Sequence, residues 1–136
     1  MELLHSDLTE NIINAFYEVY NTLGYGFLEK VYENALFYEL ELRGLKAEKQ
    51  KPINVHYKKK SVGEYFCDII VDNKVILELK ACKKLDSEHV LQLMNYLKAT
   101  DIEVGLLLNF GEEPEFKRRI YTNNEKIKSK IKIETN

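Results

Sequence analysis

Apolar residues recur at three- and four-residue spacing in two stretches near the N-terminus and in one stretch past the middle of the chain. This spacing is typical of amphipathic helices, which bury one face against a core. Gly24 and Gly44 follow the first two stretches and favour helix ends there. Asp7 and Glu10 have the spacing of a capping box at the start of the first stretch. The predicted helices span about residues 7–23, 28–42 and 87–99.

In the remaining stretches, apolar residues either alternate with polar ones or form short continuous runs, and both patterns predict β-strands. Asp72-Asn73-Lys74 separates two of these runs and suits a hairpin turn. The predicted strands span about residues 53–57, 64–71, 75–81 and 103–110, with an optional last strand over 116–121. The order of helices and strands predicts an α/β domain in which helices pack on a sheet.

The composition is that of a globular protein, with 45% hydrophobic and 31% charged residues. No stretch approaches the roughly 20 apolar residues that a membrane span requires, and the acidic N-terminus is unlike a signal peptide. A cytoplasmic location without membrane contact is therefore expected. Cys67 and Cys82 are too few for a disulfide framework or a four-thiolate cluster, so we expect free thiols and no iron–sulfur cluster.

Charge is distributed unevenly along the chain. Residues 1–45 carry eight acidic and two basic side chains, whereas residues 46–136 carry 14 acidic and 18 basic ones. Clusters of lysine and arginine can bind the phosphates of nucleic acid, although ordinary solvated surface explains any single cluster equally well. We expect residues 1–121 to form one domain and the polar, lysine-rich residues 122–136 to be frayed or disordered. The basic clusters lie at residues 58–60, 80–84, 117–119 and 126–132.

The hairpin places three polar residues together. If Asn73 is the middle of its loop, Asp68 lies directly opposite Glu78, with Cβ atoms about 4.5–5.5 Å apart. Lys80 then points to the same face. Opposed carboxylates repel unless a proton or cation lies between them, and Mg²⁺ is a cation that a few carboxylates hold. A nearby lysine could orient or deprotonate an attacking water, or stabilise a phosphate in the transition state.

Each of these features also has an ordinary explanation. Ile70 and Ile76 share the predicted face of Asp68 and make it partly apolar, but an exposed hairpin with an incidental Glu–Lys pair has about equal weight. Gln92 and Tyr96 share one face of the third helix and could contact a phosphate, or they could be a plain hydrogen-bonded pair.

Three further residues also have ordinary explanations. Glu29 lies in the first turn of the second helix, where glutamate is also a common capping residue. Cys67 is expected to be a small buried residue on the face opposite Asp68. His89 is expected to face solvent near the start of the third helix.

Four elements in order along the chain resemble the GxxExxY protein family. They are Gly26-Phe27-Leu28-Glu29-Lys30-Val31-Tyr32, then Asp68, then Glu78-Leu79-Lys80, then Gln92 to Tyr96. That family looks like a branch of the PD-(D/E)xK nuclease superfamily, similar to lambda exonuclease and RecB-type nuclease domains. The strand that ends at Leu107-Leu108-Asn109-Phe110-Gly111 is also similar.

The resemblance implies a restriction-endonuclease-like core, with a central mixed β-sheet flanked by helices. It also implies that Glu29, Asp68 and Glu78 are metal ligands and that the Leu79 carbonyl is a fourth. Lys80 would be the catalytic lysine, and Gln92 and Tyr96 would support the active site. The implied cofactor is Mg²⁺, with Mn²⁺ as an alternative.

Three hypotheses about function follow. The first is an Mg²⁺-dependent nuclease that acts on nucleic acid, with DNA as the preferred substrate. The second is a catalytically dormant nucleic-acid-binding or assembly module on the same fold. The third is a structural domain with an exposed acidic pair. A homo-oligomer is compatible with all three.

Overall fold

The computed structural model describes residues 4–128 and contains two helices, three strands, a third helix and two further strands, in that order. The predicted order of elements is therefore confirmed. The first two strands begin earlier than predicted, β1 at Ala47 and β2 at Lys60, because none of the added residues is buried and they carry little apolar alternation. The elements are α1 (Ser6–Leu23), α2 (Glu29–Leu42), β1 (Ala47–Tyr57), β2 (Lys60–Val71), β3 (Val75–Lys80), α3 (Ser87–Lys98), β4 (Val104–Phe110) and β5 (Pro114–Ile120).

The strands form one sheet in the order β1-β2-β3-β4-β5. β3 and β4 run parallel, whereas the other neighbours are antiparallel. A parallel pair needs a crossover connection, and α3 supplies it. The sheet is thus mixed and has helices on both sides, which confirms the predicted α/β class.

The core has two parts because the sheet is covered on both faces. The part under α1 and α2 includes Phe16, Tyr32 and Phe110, all fully buried. The part under α3 includes Leu93 and Leu97. β4 is buried along its whole length, as expected for a strand with cover on both sides.

The hairpin between β2 and β3 has the predicted register. Ile69 pairs with Leu77, Ile70 with Ile76, and Val71 with Val75. Asp72 and Asn73 take the left-handed conformation, with φ of 52° and 54°, which Asp and Asn tolerate better than most residues. Local turn chemistry therefore fixes the alignment of the two strands.

Two predictions about chain ends are corrected. α1 begins at Ser6 and follows His5, whose side chain makes no capping hydrogen bond, so the predicted Asp7 cap is wrong. Residues 123–128 are helical rather than frayed, and the Lys126 ammonium attaches them to the domain by donating to the carbonyls of Thr100 and Ile102, each at 2.8 Å. The rest of the predicted frayed segment, residues 129–136, lies outside the described residues.

None of the helices within residues 4–128 combines the length and the apolar character that crossing a bilayer requires.

Candidate active site

Asp68 and Glu78 lie in contact where β2 and β3 separate. The Asp68 N–H donates to Glu78 Oε1 at 3.1 Å, and the Leu79 N–H donates to Asp68 Oδ2 at 2.7 Å. The backbone ladder ends one residue earlier, at Ile69 and Leu77. The two carboxylates therefore accept hydrogen bonds from backbone N–H groups that lie beyond the last paired residues of β2 and β3. Glu78 is only 3% exposed, so this acidic pair is not the solvent-facing feature of the structural-domain hypothesis.

Burial makes both carboxyl groups hard to ionise. It raises the pKa of Asp68 to about 6, although the bond from the Leu79 N–H acts in the opposite direction. Burial, followed by the charge of Asp68, raises the pKa of Glu78 to about 8. The Lys80 ammonium lowers both pKa values, but it does not outweigh burial. Glu78 therefore retains its proton near neutral pH, where an ordinary carboxyl group would have lost it.

The alternation of β2 breaks at Asp68. Cys67 packs under α3 in the same cluster as Ile70, although strict alternation would place these two residues on opposite faces. Asp68 instead lines a pocket on the side of α2, so the expectation that it shares the face of Ile70 is wrong. The predicted burial of Cys67 is confirmed.

The break has a counterpart in β1. Lys49 pairs with Ile69 and Lys51 pairs with Cys67, but Gln50 between them takes φ of 51° and is absent from the ladder. A left-handed residue turns its side chain out of the strand's regular alternation. Gln50 thereby lines the same pocket as Asp68.

The pocket has a volume of about 240 Å³ and opens between α2 and the end of the β2–β3 hairpin. It brings Glu29 together with Asp68 and Leu79, three of the four predicted ligands. Glu78 lies behind Asp68 and does not line the pocket. Across residues 4–128, no three side chains of His, Cys, Asp or Glu are gathered so as to hold a metal ion. The lining residues are Glu29, Lys30, Glu33, Gln50, Asp68 and Leu79.

The position of Glu29 depends on Tyr32, which the sequence analysis quoted without assigning it a role. The Tyr32 hydroxyl donates to the Gly24 carbonyl at 2.7 Å and accepts from the Phe27 N–H at 3.2 Å. Its buried ring stacks on Phe110, with centroids 4.5 Å apart. Tyr32 therefore fixes the turn that leads into α2 and sets where Glu29 begins the helix. Its place three residues after Glu29 in the motif is the signal that could have revealed this.

Glu33 is a second residue that the sequence analysis missed. Its carboxylate is buried and accepts hydrogen bonds from Lys30 and, at 2.5 Å, from Gln50 Nε2. Its charge contributes to the raised pKa of Asp68. The four-residue spacing from Glu29 places both glutamates on one helix face, and this spacing could have indicated a shared site.

Gln92 and Tyr96 approach Glu78 from α3. Gln92 Nε2 donates to the Tyr96 hydroxyl at 3.0 Å, so the predicted pairing on one helix face is present. Burial, followed by the charge of Glu78, raises the pKa of Tyr96 to about 12. His89 serves another purpose, since its Nδ1 accepts from the Asp86 N–H at 3.2 Å and completes the cap of α3.

A sequence model of the PD-(D/E)XK nuclease superfamily matches residues 6–120. The chain belongs to this superfamily. Membership places it among nucleases, whose substrates are nucleic acids and which typically use divalent metal ions. Asp68, followed by Glu78-Leu79-Lys80, has the D and ExK order of the superfamily's name. A comparison with curated proteins finds no match.

Solved structures support the same fold. The crystal structure of SSO0001 is similar, with a TM-score of 0.56 and 19% identity over 95% of this chain and 68% of that chain. An alkaline exonuclease, LHK-Exo from Laribacter hongkongensis, has a TM-score of 0.53 and 10% identity over 98% of this chain and 78% of its own. These identities show likeness of fold alone. The mixed sheet with flanking helices is consistent with a restriction-endonuclease-like nuclease fold.

Asn109 clamps the segment that follows Lys80 in this superfamily member. Its buried amide accepts from the Cys82 N–H at 3.0 Å and donates to the Cys82 carbonyl at 2.9 Å. Gly111 leaves room for that segment, because a Cβ there would lie 2.2 Å from the Cys82 carbonyl oxygen. The sequence analysis assigned Asn109 no role. An Asn at the end of a buried strand nevertheless indicates a hydrogen-bonding role, because a buried amide requires partners.

Proposed function

We propose that this chain is an Mg²⁺-dependent nuclease that hydrolyses phosphodiester bonds of DNA, and that Mn²⁺ can replace Mg²⁺. The observation that carries the proposal is the contact of half-buried Asp68 with buried Glu78, beside Lys80, with both carboxyl pKa values raised. Perturbed titratable groups that cluster beside a pocket are typical of catalytic sites. We also propose that the chain is a member of the GxxExxY family and that it is located in the cytoplasm.

The proposed metal ligands are Glu29, Asp68, Glu78 and the Leu79 carbonyl. All four offer oxygen atoms, which Mg²⁺ prefers. Burial is the main cause of the raised pKa values and Lys80 does not offset it, so a divalent cation would compensate the cost of ionising the two carboxyl groups. When bound, such a cation would supply charge neutralisation and Lewis acidity to a phosphate.

The residues of the chain have distinct proposed roles. Lys80, at the end of β3, orients the attacking water and stabilises negative charge on the phosphate. Tyr96 keeps its hydroxyl proton at neutral pH because its pKa is near 12, so it acts as a hydrogen-bond donor beside Glu78. Gln92 holds that hydroxyl in place.

A second candidate is a dormant nucleic-acid-binding module. The observation in its favour is that the acids of the described chain do not converge around a single point. Calorimetric titration with Mn²⁺ distinguishes the candidates. Binding that Asp68→Asn abolishes, together with turnover, supports the nuclease, whereas the same binding without turnover on any substrate supports the module.

The nuclease proposal is tested by incubating the chain with Mg²⁺ or Mn²⁺ and with single-stranded DNA, duplex DNA or RNA. We expect cleavage by the wild type, and none by Asp68→Ala or Lys80→Ala. Asp101→Ala is the matched control, because Asp101 is exposed and precedes β4 at the opposite end of the parallel strand pair. Cleavage that survives in Asp68→Ala would mean that the activity comes from another protein or another site.

A further inference from the structure

The hairpin of β1 and β2 extends well beyond the rest of the sheet. β2 has 12 residues, but β3 has six, and the pairing of β2 with β3 covers only Ile69–Val71. The outer part, which we call the outer hairpin (residues 52–66), is therefore a two-stranded ribbon. Such a ribbon cannot bury both of its faces. Its exposed side chains include Tyr57, Val62, Tyr65 and Phe66, which are 62%, 58%, 42% and 52% exposed.

The tip of the outer hairpin is basic. Lys58 and Lys59 form a two-residue turn with φ of 48° and 70°, and Lys60 pairs with Tyr57 behind it. Glycine and asparagine are the preferred residues in such a turn, and a lysine there costs conformational energy. The fold alone therefore does not favour lysine at the tip. None of these three lysines has an ion pair among the described residues, so their charges are available to a partner.

The outer hairpin is also continuous with the candidate active site. The Tyr65 ring lies 5.6 Å from the Tyr96 ring, and Tyr96 is close enough to Glu78 for the Glu78 charge to raise its pKa. From Tyr65 to Lys60 the strand runs for about 17 Å at the usual rise per residue. An exposed aromatic ring thus stands between the acidic pair and the lysine tip.

We infer that the outer hairpin holds a single-stranded segment of nucleic acid, with a base stacked on Tyr65 and phosphates on Lys58, Lys59 and Lys60. Positive charge complements the phosphate backbone, and an exposed aromatic ring accepts a base of any sequence. A duplex hides its base faces, so stacking on Tyr65 requires an unpaired strand. The inference rests on the proposed function and adds to it the strandedness of the substrate and the route by which it reaches Glu78.

Binding is measured without turnover, by fluorescence anisotropy in EDTA. The probes are a labelled oligothymidine of about 15 nucleotides, within the range of single-stranded site sizes, and its duplex with oligoadenosine. We expect the single strand to bind more tightly. Tyr65→Leu should weaken its binding by at least about 5-fold, the lower end of the effect of losing one stacked base. Tyr65→Phe should retain the affinity, because it keeps the ring.

The lysines are tested with Lys58→Asn/Lys59→Gly, a double variant that gives the turn its preferred residues and removes two charges. We expect weaker binding and a log–log salt dependence that is shallower by about 1.4, since two phosphate contacts are lost. The matched control is Lys46→Gln/Lys74→Gln, which removes two exposed charges at the other end of the same strands. It should leave affinity and slope unchanged.

The outcomes separate the inference from the proposed function. Equal effects of the two double variants, or unchanged affinity in a folded Tyr65→Leu, would overturn the inference, whether or not the chain cleaves DNA. Tighter binding of the duplex would also overturn it. If the single strand binds as described but no nucleic acid is cleaved with Mg²⁺ or Mn²⁺, the nuclease proposal fails while the binding surface stands. Circular dichroism of each variant shows that it is folded.

Discussion

Replacing Glu78 by glutamine should stabilise the metal-free protein at alkaline pH. Glutamine keeps an oxygen that can accept the Asp68 N–H but cannot ionise. In the wild type, burial raises the pKa of Glu78 from 4.5 to about 8. Because the folded state holds the proton more tightly than the unfolded state, stability from this group is full below about pH 4 and is lost as pH rises towards 8.

The size of the effect follows from the shift in pKa. Each unit corresponds to about 1.4 kcal/mol, so the folded state loses roughly 3 to 5 kcal/mol by pH 9. Asp68 also has a raised pKa, but its charge is one cause of the Glu78 shift, so the two contributions are not summed. We expect Glu78→Gln to exceed the wild type by roughly 3 kcal/mol at about pH 9 and to differ by less than about 1 kcal/mol at about pH 5.

The assay is urea unfolding followed by circular dichroism in EDTA, at both pH values. Glu64→Gln is the control, because Glu64 is exposed on β2 and its removal should give no gain that depends on pH. Millimolar Mg²⁺ should stabilise the wild type at alkaline pH and leave Glu78→Gln nearly unchanged. The reasoning is refuted if Glu78→Gln is destabilised equally at both pH values, since the buried carboxylate would then carry no ionisation cost.

Three further predictions concern residues around the site. Tyr32→Phe should lower the free energy of unfolding in urea by roughly 1 to 3 kcal/mol, because it leaves the Gly24 carbonyl without its hydrogen-bond donor. It should also weaken Mn²⁺ binding in calorimetry. Unchanged Mn²⁺ affinity would show that Tyr32 does not position Glu29. Gly111→Ala should lower stability by roughly 1 to 3 kcal/mol because its Cβ would overlap the Cys82 carbonyl, and a neutral result would exclude tight packing there. A thiol reagent should label Cys82 quickly in the folded chain, and both cysteines in urea. The reason is that burial raises the pKa of the Cys67 thiol to about 12, whereas Cys82 is only half-buried. Mass spectrometry that finds Cys67 labelled first would contradict this.

Local periodicity and turn chemistry can be read along the chain, and they specify part of the fold. Period and length specified the helices and strands, because burying one face of each element requires a matching repeat. Asp72 and Asn73 tolerate the left-handed turn, and the turn then fixes the register of β2 and β3, which brings Asp68 next to Glu78. The order of Glu29, Asp68 and Glu78-Leu79-Lys80 also indicated the superfamily before the fold was known.

The orientation and environment of these residues depend on contacts between distant parts of the chain. The left-handed Gln50 of β1 lies beside the point where the alternation of β2 breaks, and both Gln50 and Asp68 face the pocket next to α2, an arrangement that involves two paired strands. The raised pKa of Glu78 arises from burial by the layers around it and from its neighbour Asp68. Glu33 joins the site, and Asn109 clamps Cys82, only because the chain folds α2 and β4 against the same end of the sheet. Burial and long-range contacts are properties of the packed layers, so no local pattern of residues contains them.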